Sequence, residues 1–311
     1  MKEYKEPNNQ ESDIVSESWG GTWTETKLDA FEKYVRAYLM VMKNYRHEND
    51  WKLIYFDGFA GSGSRTNNHE DEESGLLDDL FSDNEITHEE INVYRGSAER
   101  VASIKDVESF DYFYFVEKDD ESRDHLKSVL TKYDLKNPVF RVDANTEIKK
   151  LAQALRQNRK YKALVLLDPF GMQVDWDSIK MLKGLSVDLF ILIPTGVIIN
   201  RLLDRKGELT HLDKLKSFFG LSESEIKQIF YKKISEQSLF GEETRIEKIQ
   251  KPIEKIAEVY LQRLRGLFKK VIPHPLVLKN SRNVAIYHFA FASQNSNALK
   301  IAGQIIDKEQ S

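Results

Sequence analysis

Five short apolar runs, separated by amphipathic stretches, limit what this chain can fold into. KLIYFD (52–57), DYFYFVE (111–117), PVFRVD (138–143), KALVLLD (162–168) and DLFILIPT (188–195) are apolar almost throughout. Between them, GSAERVASI, DDESRDHLKSVLTKY, NTEIKKLAQALRQN and DSIKMLKG read as helices. A strand with no polar face must be covered on both sides, and strands that alternate with helices pair in parallel. The pattern predicts a Rossmann-like α/β fold with a mostly parallel sheet. LVLKN (276–280) and IYHFAFASQN (286–295) predict a strand pair that adds an antiparallel edge strand, and NALKIAGQIID a closing helix.

The flanking segments are of other kinds. In LDAFEKYVRAYLMVMKNY the apolar residues Leu28, Phe31, Val35, Tyr38, Leu39 and Met42 recur at helical spacing, with Thr24 as the expected N-cap. Residues 1–18 are polar and acidic, and read as a disordered N-terminus that is neither signal nor transit peptide. Residues 65–95 set ten acids against Arg65 and Arg95, the pattern of an acidic surface insertion. Residues 197–270 read as a purely helical, charged insertion. The expected domain is therefore 19–196 with 271–311, interrupted by 197–270, and 311 residues leave ample room for its core.

Composition excludes some chemistry. No apolar run approaches the ~20 residues of a membrane helix, so no membrane partner is expected. The chain has no cysteine, which removes disulfides, thiolate metal sites and a cysteine nucleophile, and makes the cytoplasm the expected location. The seven histidines show no paired ligand spacing, so no metal is expected.

The loop after the first strand, DGFAGSGS, gives up side chains at Gly58, Gly61 and Gly63. Such a loop serves a ligand that must touch backbone. A phosphate-binding P-loop needs G-x-x-x-x-G-K-[ST], but Ser64 and Arg65 follow Gly63 here. A dinucleotide loop needs G-x-G-x-x-G, but Thr66 stands at its third glycine. S-adenosyl-L-methionine is the third candidate, with a loop of the form acid-x-x-x-Gly-x-Gly. Asp57, Gly58, Phe59, Gly61 and Gly63 fit it. This ligand carries an ammonium and a sulfonium, so an acid at the strand end replaces the lysine of a phosphate site. Glu117 ends the second strand, where an acid can accept both ribose hydroxyls, and Asp143 ends the third, near the expected adenine. Glu117 lies 60 residues after Asp57, against roughly 20 in compact folds, and the acidic insertion explains most of the excess.

The fourth strand runs into Asp168, Pro169 and Phe170. Pro169 fixes the turn. Asp168 can accept a hydrogen bond from an amine, and Phe170 offers a face for a stacked base. Methyl transfer needs the acceptor nitrogen in line with the methyl at roughly 3 Å, which a rigid acceptor and a platform supply. Residues 197–282 carry 18 basic against 11 acidic residues. Arg201, Arg205 and Lys206 cluster after the fifth strand, and Arg263, Arg265, Lys269 and Lys270 before the sixth; both groups are candidates for tracking phosphates.

DGFAGSG resembles the first motif of class I methyltransferases, especially those that modify exocyclic amines of bases. DPFG resembles their fourth motif, usually Asp/Asn-Pro-Pro-Tyr/Phe, and is similar to its form in tRNA N2-guanine dimethyltransferases. Over nearly the whole chain, WTETKLDAFEKYVRAYL, YFDGFAGSG, GSAERV, LLDPFGMQVDW and DLFILIPTGVIINRL are similar to the bacterial three-Cys-motif partner proteins. The resemblance implies the class I methyltransferase fold and a partner protein with a three-cysteine motif, itself similar to a radical-SAM-type enzyme. The expected function is methyl transfer from S-adenosyl-L-methionine to an exocyclic amine of a nucleic acid base, RNA or DNA. The alternative is a catalytically silent module that uses the same fold to dock the three-Cys-motif partner.

Overall fold

A computed structural model describes residues 22–62, 96–238, 241–280 and 282–310. The expected disordered terminus 1–18, the acidic insertion 65–95 and Gly63 lie outside the described residues. The predicted strands form as β1 (Lys52–Asp57), β2 (Tyr112–Val116), β3 (Pro138–Arg141), β4 (Tyr161–Leu167) and β5 (Val187–Ile193). Helix α1 (Thr22–Asn49) precedes them. Between and after them come α2 (Ser97–Ala102), α3 (Asp120–Leu130), α4 (Ala144–Gln157) and α5 (Trp176–Lys180).

The insertion differs from the expectation. It holds α6 (Leu212–Phe219), α7 (Glu223–Phe230) and α8 (Pro252–Arg265), but also a hairpin of β6 (Tyr231–Ser238) and β7 (Gly241–Lys248). So 197–270 is not purely helical. The hairpin is rich in Lys and Glu, which favour helix by intrinsic propensity. Cross-strand pairing overrides that preference, with Lys232 opposite Glu247 and Ile234 opposite Arg245.

The chain returns to the main sheet as β8 (Lys270–Val271), β9 (Leu276–Lys279) and β10 (Ala285–Ser293), then closes with α9 (Ser296–Glu309). Strand order is β3-β2-β1-β4-β5-β10-β8, with β9 also on β10. Strands β1 to β5 pair in parallel, and β10 is antiparallel to β5. The antiparallel strand is interior rather than at the edge, because β8 and β9 both cover its outer side. Pro273 and Pro275 lie between those two short strands; proline lacks the N–H a ladder needs, which suits an edge.

This is a Rossmann-like α/β fold. One face of the sheet packs against α1, where Phe31 and Tyr34 meet Phe190, Tyr55 and Phe291 at centroid distances of 4.9–6.3 Å. Thr24, expected as the N-cap, is buried inside α1, which begins at Thr22. Trp23 stacks on Tyr287 of β10 at 5.4 Å, and this packing helps hold the first turn. Among the described residues no helix is long and apolar enough to cross a membrane.

Candidate functional site

Strand order reverses between β1 and β4. A ligand of a doubly wound sheet sits beyond the carboxyl ends of the strands at that reversal. Asp57 ends β1 level with Leu166 of β4, and Asp168 follows two residues on. The two carboxylates are close enough for Asp168 to make Asp57 harder to ionise.

Asp57 is fully buried. It accepts the Tyr55 hydroxyl at 2.9 Å, the Ser97 hydroxyl at 2.6 Å and the Phe59 N–H at 3.3 Å. These donors hold the carboxylate against Tyr55, Ser97 and the first turn of the loop, at the place where the sequence expects an acid facing a ligand's ammonium. Burial pushes its carboxyl up to about 6, against the pull of the three hydrogen bonds. An acid raised in this way favours folding below its ordinary pKa and loses that contribution as pH rises through the folded value. The unfolding free energy should therefore fall by up to about 3 kcal/mol between pH 3.8 and about 6. Urea titrations across this range should show the slope in the wild type and lose it in Asp57→Asn. Equal slopes would place its origin elsewhere.

The loop itself is tied to the strands on either side. Gly58 N–H donates to Leu166 O of β4 at 2.9 Å, and Ala60 N–H to Val116 O of β2 at 2.9 Å. A Cβ on Gly58 would lie 2.6 Å from Leu167 Cδ2, so the close approach requires glycine. Gly61 has φ +63°, a conformation glycine adopts without strain. His125 of α3 donates from Nδ1 to Ser62 O at 2.6 Å, which pins the far side of the loop.

Glu117 follows β2 and is half-buried beside this loop; its Oε1 accepts the Asp119 N–H at 3.0 Å. Asp143 is exposed and caps α4, accepting the Thr146 N–H at 2.7 Å. Asp57, the 58–62 loop and Glu117 are thus brought together. Asp143 serves its helix.

At the end of β4, Asp168 and Pro169 are buried and Phe170 is half-buried. Lys27 of α1 donates from Nζ to Asp168 Oδ2 at 2.6 Å, with both side chains 1% exposed. The ammonium also lies 5.6 Å from the centroid of Trp23. The first two turns of α1 therefore close over Asp168. Sequence reading missed Lys27. Its signal is position: it lies four residues before Phe31 on the apolar face of α1, and a lysine buried there needs a paired acid. Next to β4, β5 leads into a π-helical turn (Thr195–Ile199), where the buried Thr195 hydroxyl and His288 Nδ1 are 2.8 Å apart. Burial pushes His288 down to about 4, so it is neutral at pH 7.

The two basic groups do not form one surface. Arg201, Arg205 and Lys206 follow β5 at the carboxyl end of the sheet. Lys270 pairs with Ser293, which lies opposite Asp188 at the start of β5, so Lys269 and Lys270 are at the other end. Arg263 is packed on the Trp176 ring at 4.6 Å and donates to Gly220 O at 3.0 Å, a structural role. Arg265 is exposed near it in sequence. A cleft of about 320 Å³ opens under α4 between Phe56, Tyr112, Tyr114, Arg141 and Tyr161. None of the residues expected from sequence lines it. No group of three or more acidic, histidine or cysteine side chains suited to a metal occurs among the described residues.

No family model matches the chain, and no curated protein matches it. Among solved structures it is similar to protein LPL1258 from Legionella pneumophila str. Philadelphia 1, which carries the family-model label DUF519. The identity is 14%, the match covers 86% of this chain and 97% of that one, and the TM-score is 0.35. A likeness this distant bears on neither the site nor the activity.

Proposed function

We propose that the chain is an S-adenosyl-L-methionine-dependent methyltransferase that modifies an exocyclic amine of a nucleic acid base. One observation carries the reading: the glycine loop, Glu117 and Asp168 stand at the carboxyl ends of the neighbouring strands β1, β2 and β4, beside the point where strand order reverses. The donor set fits this cofactor. Backbone between Gly58 and Ser62 would lie against its amino-acid end, and Glu117 would accept the ribose hydroxyls. When bound, the cofactor supplies a methyl group on a positively charged sulfur. Asp168 would accept an N–H of the acceptor and so turn the nitrogen lone pair into the crevice, with Phe170 stacking on the base. Arg201, Arg205 and Lys206, at the same end of the sheet, would track phosphates.

The closure of Asp168 by Lys27 favours a second reading, a catalytically silent module that docks a three-Cys-motif partner through the same fold. Two measurements separate them. Calorimetry should show S-adenosylmethionine or S-adenosylhomocysteine binding to the purified protein. Radiolabelled methyl transfer to RNA, DNA and protein extracted from a deletion strain should label the nucleic acid. Tight cofactor binding with no label in any fraction would favour the docking module, and no cofactor binding would end the methyltransferase reading.

A further inference from the structure

The cleft under α4 lies on the sheet face turned away from α1. Tyr55 meets Phe31 of α1, so Ile54 and Phe56 of β1 point to the other face, with Tyr112 and Tyr114, their partners in β2. The cleft, of about 320 Å³, runs between that floor and α4. Glu147, Lys150, Leu151 and Ala154 form its helix wall, at the spacing of one helical face. Strand register orders the floor. Tyr161 of β4 is level with Lys52, Tyr112 with Ile54, Tyr114 with Phe56, and Arg141 of β3 with Val116. The cleft therefore runs from tyrosines near the amino ends of the strands to cations at their carboxyl ends.

The two ends differ in chemistry. Tyr112 and Tyr161 meet edge to face at 6.1 Å, while Phe56 and Tyr114 have centroids 6.4 Å and planes 27° apart, a platform for a flat ring. The hydroxyls of Tyr112, Tyr114 and Tyr161 have no hydrogen-bond partner among the described residues. Burial raises Tyr114 above the usual tyrosine range, so its hydroxyl remains a donor. An acyl chain would leave these hydroxyls unused, whereas a heterocycle offers them partners. At the other end the Glu147 side chain, 8% exposed, accepts Lys150 Nζ at 2.7 Å and faces Arg141 Nε at 3.5 Å. One buried carboxylate thus holds two cations whose own side chains stay 61% and 47% exposed. Among the lining residues one positive charge is left over. A ring platform that ends in surplus positive charge matches an aromatic ring carrying an anion.

We propose that this cleft binds a nucleotide, with the base against Phe56 and the tyrosines and the phosphate on Arg141 and Lys150. The site is separate from the crevice where strand order reverses, and it does not rest on the methyltransferase reading. A free nucleotide and the 5′-terminal unit of an RNA strand share this chemistry.

The test uses the full chain at low salt, titrated in a calorimeter with UMP, uridine, ribose 5-phosphate and 5′-phosphorylated tetrauridylate. Uracil has no exocyclic amine and is not adenine, so the crevice is not expected to take these probes as acceptor or cofactor. UMP should bind at least ~10-fold more tightly than uridine or ribose 5-phosphate, because each of those keeps only one of the two contacts. Arg141→Gln and Lys150→Gln change exposed side chains and should each weaken UMP by ~10-fold or more while leaving uridine unchanged. Tyr114→Leu should weaken UMP and uridine alike, by ~5- to 100-fold. Tetrauridylate binding no tighter than UMP would assign the site to free nucleotides; tighter binding would assign it to a strand end, and either result supports the proposal. No heat from UMP or tetrauridylate up to ~10 mM would overturn it. So would equal affinity for UMP and uridine, or UMP affinity unchanged in all three variants.

Discussion

Asp168→Ala should lose about 3–5 kcal/mol of stability as well as its chemistry. The substitution leaves the Lys27 ammonium with its main counter-charge removed in a site where both side chains are 1% exposed. Breaking a buried pair from one side is costly because the remaining charge has lost both water and partner. Replacing both members by apolar residues of similar size is often neutral or stabilising, since neither desolvation cost then remains. Lys27→Met with Asp168→Leu should therefore recover stability to within about 1 kcal/mol of wild type. Methyl transfer should stay at least ~100-fold down in both proteins, because orientation of the acceptor nitrogen is lost in each. Urea denaturation gives the first quantity and radiolabel incorporation the second. If Asp168→Ala is as stable as wild type, the pair is not the buried one described. If the double variant transfers methyl at the wild-type rate, Asp168 does not orient the acceptor.

The parallel core was legible because a strand buried on both faces leaves an unbroken apolar run, as KALVLLD does for β4. The acids at its ends were legible for the same reason: Asp57, Glu117 and Asp168 each mark where an apolar run stops. What each acid does there was not. An acid after a strand and before a helix serves a ligand or a helix cap equally well, and Asp143 takes the cap. Asp57 is held by Tyr55 and Ser97, and Ser97 lies 40 residues away in sequence. Lys27 and Asp168 are 141 residues apart, so only the packing of α1 on the sheet reveals the pair. The hairpin β6–β7 was hidden because its stability comes from cross-strand partners while its composition favours helix. The sequence separates the two basic groups but does not say where they stand; the antiparallel β10 sets Lys270 at the end of the sheet opposite Arg201, Arg205 and Lys206.

Glu117 and Asp143 make the sharpest comparison that follows, because the sequence presents them alike and the structure does not. Glu117 is half-buried beside the glycine loop, next to the Val116 carbonyl that holds Ala60. Asp143 is exposed and spends one oxygen on the Thr146 N–H. If the cofactor lies in the crevice, Glu117→Ala removes a carboxylate that would accept two ribose hydroxyls. Each hydrogen bond to a charged group is worth ~1.5–3 kcal/mol, so the loss of both should lower cofactor affinity by roughly 10²- to 10⁴-fold. Folding should suffer little, since Glu117 Oε1 accepts a turn N–H at 3.0 Å that solvent can replace in part. Glu117→Gln keeps the size and one acceptor and should fall between the two. Asp143→Ala should do the reverse: it removes a helix cap, worth about 1 kcal/mol of stability, and leaves cofactor affinity unchanged. Calorimetry with S-adenosylhomocysteine and urea denaturation on the same three proteins measure both axes. A loss of affinity in Asp143→Ala with none in Glu117→Ala would move the ribose one strand outward, to the end of β3.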